Sequence, residues 1–236
     1  MDERNRKRLR SSGIKGVLLS CLILSIPIII FFISAGHINI PRAWIFFGVT
    51  FVYVIVNTAV LYKFNPELLI QRLKRKRQGS KLWDEILVRV SNLTVLIIVP
   101  IVAGLDVGRF HWSSLSIHSA IVGFVLYIIS SVLVNWAMIV NPHFEPTVRI
   151  QKDRGHQVIT TGPYKIVRHP GYLSGILMTL SIPLIIGSVF ALIPAGIYAI
   201  LFIIRTLLED KTLRKELNGY SEYSKRVRYR LVPWIW

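Results

Sequence analysis

Cysteine is almost missing from this chain: Cys21 is the only one in 236 residues, which excludes an intramolecular disulfide and a cysteine-based zinc site. The six histidines show no H-x-x-x-H or other metal-ligand spacing, and acidic partners are few, 12 Asp and Glu against 29 Lys and Arg. G-x-S-x-G is absent, so Ser-His-Asp catalysis has no sequence signature, and the soluble dinucleotide fingerprint G-x-G-x-x-G is absent as well. Charge is also missing from several long stretches, and those gaps define the chain.

The composition is 53% hydrophobic with a mean hydropathy of +0.52, too apolar for an ordinary soluble domain. Uncharged runs cover Gly16 to Ile33, Ala43 to Tyr62, roughly Ile86 to Leu105 with Arg89 snorkelling near its start, and Ser113 to Val140. Each approaches or exceeds the ~20 residues that cross a bilayer. The fourth is long enough to require tilt. Pro27 and Pro100 fall inside spans, where kinks are tolerated if neighbours satisfy the freed carbonyls. The run Gly16 to Ile33 is longer than a signal-peptide core and lacks a small-x-small cleavage site, so a retained helix is expected.

The run Gly171 to Ile204 would be about 51 Å long as one helix, against a hydrocarbon core of ~30 Å. It contains Pro183, Gly187-Ser188 and Pro194, which predicts a tight helical hairpin turning near Gly187 to Pro194. The expected fold is therefore an all-α polytopic membrane bundle of about six spans. Residues 1–140 supply spans 1–4 with basic connections, and residues 141–236 supply the hairpin and a C-terminal tail. The last helix is expected to run past the membrane to about Leu217, with Asn218-Gly219 as its stop signal.

A net charge of +17 raises the question of nucleic acid, but the distribution answers it. Only Arg42 and Arg109 fall outside four clusters, at 1–15, 63–89, 141–172 and 205–236, and these lie in alternate connections. That is the positive-inside pattern. It predicts both termini in the cytoplasm and anionic lipid headgroups, not nucleic acid, as the partner of the charge. Residues 1–15 and Lys74 to Arg77 are read as membrane-surface anchors. His37 and His111 are placed in outer turns, and His118 within a span, satisfied by a neighbour.

Two polar clusters adjoin the hairpin. In Arg168-His169-Pro170-Gly171-Tyr172, Pro170 suits the first turn of a helix, so the preceding loop would aim backbone donors at an anionic group. An ordinary interfacial helix start, with Tyr172 in the aromatic belt, is the other reading. Arg205 and Glu209 share one helix face at i,i+4, with Asp210 one step round; an interfacial ion pair is the plain alternative to a site. The tail from Leu217 to Trp236 is rich in Tyr, Arg and Trp, and reads either as an interfacial belt or as a lid over a ligand.

The ordered set Gly162-Pro-Tyr164, Arg168-His-Pro-x-Tyr172, Arg205-x-x-x-Glu209-Asp210-x-x-Leu213, Gly219-Tyr-x-x-Tyr223 and Arg230-Leu-Val-Pro233 resembles the C-terminal half of the isoprenylcysteine carboxyl methyltransferase family, to which membrane phospholipid methyltransferases are related. The resemblance covers roughly residues 144–236. It implies a cytoplasm-facing pocket for S-adenosyl-L-methionine, with S-adenosylhomocysteine as product, and a lipophilic or lipid acceptor. Carried over, Gly162, Tyr164, Arg168, His169, Pro170, Tyr172, Asp210, Tyr220 and Tyr223 would surround the cofactor, the His-Pro-x-Tyr segment largely through backbone groups. Glu209 would hold a cationic part of it, and Arg205 would orient an acidic group; these two are the catalytic candidates, with no metal. Asp210 departs from the second Glu usual in the family, and Gly-Tyr-x-x-Tyr departs from the spacing of eukaryotic members. The tail also looks like the end of NADPH-dependent membrane sterol reductases. A membrane scaffold or ligand-binding protein, its polar clusters setting topology alone, is the non-enzymatic alternative.

Overall fold

The computed structural model describes residues 3–73 and 79–236, and the side chains of these except for 3–12 and Lys15. Lys74 to Arg77, and nearly all the side chains of the basic run 1–15, therefore lie outside the described residues. The described chain is all helical. Apolar runs in lipid must satisfy their own backbone, and a helix does so within one segment.

Helix α1 is Glu3–Ala35, α2 Pro41–Phe64, α3 Pro66–Arg72, and α4 the continuous segment Leu82–Phe110. Then follow α5 (Ile117–Val140), α6 (Pro170–Ile186), α7 (Leu192–Glu216) and the short α8 (Tyr220–Arg226). Five of these are long and apolar enough to cross a membrane, and α6, at 17 residues, is the shorter arm of a helical hairpin with α7. Six passes place Asp84, the 141–169 connection and the tail at one end of the bundle, and the turns after α1, α4 and α6 at the other.

The hairpin turn is tighter than the sequence suggests. It occupies residues 187–191, and Pro194 belongs to the first turn of α7. Gly187 sits at φ +104°, a conformation open to glycine, and ends α6. The Pro183 carbonyl accepts from Gly187 and Ser188 N–H at 2.8 and 3.0 Å. Arg42 completes the cap, donating from Nη2 to Leu184 O at 2.8 Å and from Nε to Ile185 O at 2.7 Å. Arg109 does the same for α1, donating to Ile33 O and Ser34 O. The two arginines that stand outside the basic clusters are thus helix C-caps, where cations offset the carbonyl dipole.

Two expected boundaries move. The fourth span is not 28 residues but 24, because 113–116 is extended; Ser113 is held there by Asp106. The third span continues past Leu105 to Phe110, so Asp106 lies inside it, fully buried. Its carboxylate accepts from Ser113 N, Ser113 Oγ, Ser188 Oγ and Phe190 N, between 2.5 and 3.2 Å. That network fastens α4 to the hairpin turn. His118 also differs from expectation: it is exposed in the first turn of α5.

Two stretches of α4, Thr94–Ile98 and Leu105–Phe110, are wound as π-helix. The first precedes Pro100, which has no N–H to offer; Val99 N–H reaches back to Thr94 O instead. Gly104 and Gly108 lie on the face against α1, where a methyl group would stand 2.4 Å from Phe31 O and from Ala35 Cβ respectively. Small residues at this i,i+4 spacing let the two backbones approach, the usual basis of close helix packing in lipid.

Candidate active site

At the end of the bundle that carries the basic clusters, α4, α5, α6, α7, α8 and the 141–169 connection surround one cavity of about 360 Å³. Pockets for small organic ligands begin at roughly that size, ~300 Å³. The two polar clusters singled out in the sequence lie against each other on its wall, because the α6–α7 hairpin folds the chain back on itself.

Helix α6 begins at Pro170, with His169 as its N-cap residue. The His169 and Tyr172 rings stack with centroids 5.6 Å apart and planes 5° apart. Tyr172 donates a short hydrogen bond to Glu209 Oε2 of α7. Among the described residues no side chain engages Glu209 Oε1, which leaves one carboxylate oxygen open at the cavity wall.

Arg205, one turn earlier on α7, does not pair with Glu209. Its guanidinium makes two bonds to Asp84 of α4, at 2.6 and 3.1 Å, and a third to Pro146 O at 2.6 Å. It also lies 4.8 Å over the Tyr172 ring, within cation–π range. Asp84 is fully buried and accepts from Val148 N–H at 2.7 Å as well, so it ties α4, α7 and the connection together. Sequence reasoning missed Asp84. Its only visible signal was that of an acid in a first helical turn, an ordinary dipole partner.

Asp210 points away from the cavity, as a 100° step along the helix requires, and becomes a hub. Arg168 grips it through two nitrogens at 2.8 and 3.2 Å, and Tyr220 OH donates at 2.9 Å. His169, Arg214 and Arg230 stand at 3.4, 3.1 and 3.4 Å. Arg168 also donates to the Val227 and Arg228 carbonyls. Burial, and then the adjacent Asp210, push the Tyr220 hydroxyl well above the usual phenol range, so it stays a donor.

The backbone donors expected to face a ligand ahead of Pro170 are engaged elsewhere. Arg168 N–H and His169 N–H donate to Tyr229 O and Arg230 O, at 3.0 and 2.9 Å. The tail after Ser224 therefore buttresses the α6 start from behind and is not part of the cavity wall. Gly162 is likewise off the wall; at φ +58° it makes a tight turn under Trp136. Tyr164 and Tyr223 do reach the cavity, fixed by Asn141 donating to Tyr164 OH and Tyr223 donating to Tyr164 O.

The connection contributes more of the wall than its sequence announced. Arg149 bridges Glu145 and Asp153, and Arg154 joins Glu67, Gln151 and Pro142 O. The His143 and His156 rings lie 4.5 Å apart beneath them. Burial, then the neighbouring His143, depresses His156 to about 4.

Residues 118–218 match the family model described as phospholipid methyltransferase. The matched segment is 101 of the 236 residues, less than half of the chain. It takes in α5, the connection, α6 and α7, which form much of the cavity, and it falls within the group of membrane methyltransferases that the sequence resembles. In addition, 85 residues are 32% identical to the Delta(14)-sterol reductase of Mus musculus, covering 35% of this chain. The aligned stretch is 20% of that reductase, so the chain spans about a fifth of the curated relative's length. The family match supports a membrane methyltransferase.

Proposed function

We propose that this protein transfers a methyl group from S-adenosylmethionine to a lipophilic acceptor held within the membrane. The observation that carries the reading is the half-engaged Glu209: a carboxylate fixed by Tyr172 on one oxygen and open on the other, inside a cavity that the methyltransferase-family segment surrounds. An open carboxylate beside stacked rings fits a cationic ligand, and the cavity volume fits a small organic one.

S-adenosylmethionine, when bound, supplies an activated methyl on a sulfonium. Glu209 would attract its positive charge, and Tyr172, by donating to Oε2, holds that carboxylate in place. His169 and Tyr172 offer a flat aromatic surface. Arg205 would keep Tyr172 oriented through its place over the ring, with its guanidinium held by Asp84. Asp210 and Arg168 act one layer back as positioning residues. Holding two reactants in line is the main demand of such a transfer.

On this reading residues 141–236 form the cofactor-binding and catalytic part, and residues 1–140 the acceptor side. By the positive-inside pattern of the basic clusters, the cavity end and both termini would face the cytoplasm and its anionic headgroups. A prenylcysteine-like carboxylate and a phospholipid amine are both candidate acceptors.

The reductase similarity supports a second reading, an NADPH-dependent membrane enzyme. Calorimetry with S-adenosylhomocysteine and with NADPH separates them. Binding of the former alone supports the methyltransferase; binding of NADPH alone replaces it.

A further inference from the structure

The cavity ends at one level on three helices. Asn141, Tyr172 and Glu209 border its polar end, and the wall residues furthest from them are Val134 on α5, Met178 on α6 and Phe202 on α7. Each of these lies six or seven residues beyond its partner, about 9–10 Å at 1.5 Å per residue. One of the three helices runs opposite to the other two, yet all stop lining the cavity at the same depth.

Below that level the bundle is closed. Tyr53 and Met178 belong to the cavity wall and also pack against the buried core around Phe46, Tyr127 and Ile185. The Tyr53 and Tyr127 rings meet edge-on at 5.9 Å, and Tyr198 stacks on Phe202 at 4.3 Å. Ser174, a polar residue on the same stretch of α6, donates its hydroxyl to Ser130 O at 2.7 Å. The cavity therefore has a mainly apolar floor beneath a charged end. An amphiphile seated there gains burial with every carbon down to the floor, and any further carbon must overpack the core.

We propose that Met178 is a specificity-determining residue which, with Tyr53 and Phe202, forms the floor that limits the apolar segment of the acceptor. The segment seated beyond Glu209 is about eight carbons long, the number that spans ~10 Å as a zigzag of C–C bonds of ~1.5 Å. This deepens the methyltransferase reading and rests on it for the role of the occupant.

The test uses straight-chain 1-alkanols of about six to fourteen carbons as probes, supplied at equal mole fraction in the detergent micelle to the purified full-length protein. Cys21→Ser with Val134→Cys puts the single thiol at floor level, and its rate of reaction with N-ethylmaleimide reports whether a chain covers it. Protection is expected to peak near eight carbons and to fall about tenfold by twelve, a factor that overpacking of a filled core supplies. Adding Met178→Ala, which removes three heavy atoms from the floor, is expected to move the peak to about eleven carbons. Protection that grows steadily through the longest chain, protection by none of them, or a peak unmoved by Met178→Ala overturns the assignment. The profile without Met178→Ala decides the matter by itself if that variant does not fold. Failure of wild type to bind S-adenosylhomocysteine counts instead against the methyltransferase reading, and the length profile is read independently of it.

Discussion

Arg205 and Asp84, 121 residues apart, form a buried pair at 2.6 Å that joins α7 to α4 beside the cavity. The arginine carries the connection with it through Pro146 O, and the aspartate through Val148 N–H. The pair positions α4, α7 and the loop between α5 and α6 in one arrangement. It explains why the catalytic candidate beside it, Glu209, keeps an oxygen open.

Removing one member of a buried ion pair strands the other. Asp84→Ala is therefore expected to destabilise the protein by about 3–5 kcal/mol, seen as a lower melting temperature in detergent. An unchanged melting temperature would show that Arg205 finds water or another anion.

Glu209→Gln keeps the shape and can still accept from Tyr172. It removes the charge that would hold a cationic cofactor, a loss worth about 1.5–3 kcal/mol for a hydrogen bond to a charged group. The affinity for S-adenosylmethionine, which carries that charge, should fall at least about tenfold by calorimetry, with melting temperature in the absence of ligand nearly unaffected. Full affinity in this variant would refute the placement of Glu209.

Asp210→Asn should act differently. The hub retains its shape but loses the charge that Arg168 and Arg230 share. Hydrogen exchange is expected to quicken in the tail, residues 227–236, more than in α6 and α7. Uniform exchange throughout would mean that the tail is held by other contacts.

Gly108→Leu tests the far end of the bundle. The new side chain meets Ala35, and overpacking of this kind costs about 1–3 kcal/mol. Stability should drop while the affinity of the folded fraction for S-adenosylhomocysteine stays the same, since Gly108 lies at the other end of α4 from the residues that line the cavity.

His156 predicts a pH dependence. Burial lowers it to about 4 in the folded protein, below its ordinary 6.5, with His143 also lowered chiefly by burial. The folded state then binds fewer protons than the unfolded one between those values, so stability is present above pH ~6.5 and is lost as pH falls toward 4. Arg149 and Arg154 face the ring and oppose its protonation, while Glu145 favours it. Exchange protection across residues 141–159 should decline over that window; protection that stays level down to pH 4.5 contradicts the buried neutral form.

Much was visible in the residues themselves. Uncharged runs separated by basic clusters determine the six passes, because lipid rejects both charge and unpaired backbone. Pro183 and Gly187 determine a hairpin. Arg168-His-Pro-x-Tyr172 and Glu209 announce their end of it as a place for chemistry. None of this identifies a partner for any charge, since ion pairs form between segments far apart in the chain. Only the folded bundle decided that Arg205 belongs to Asp84, and that Asp210 fastens the tail while its neighbour Glu209 faces the cavity. The reason is geometric: helical period tells which residues share a face, and tertiary packing decides what that face meets.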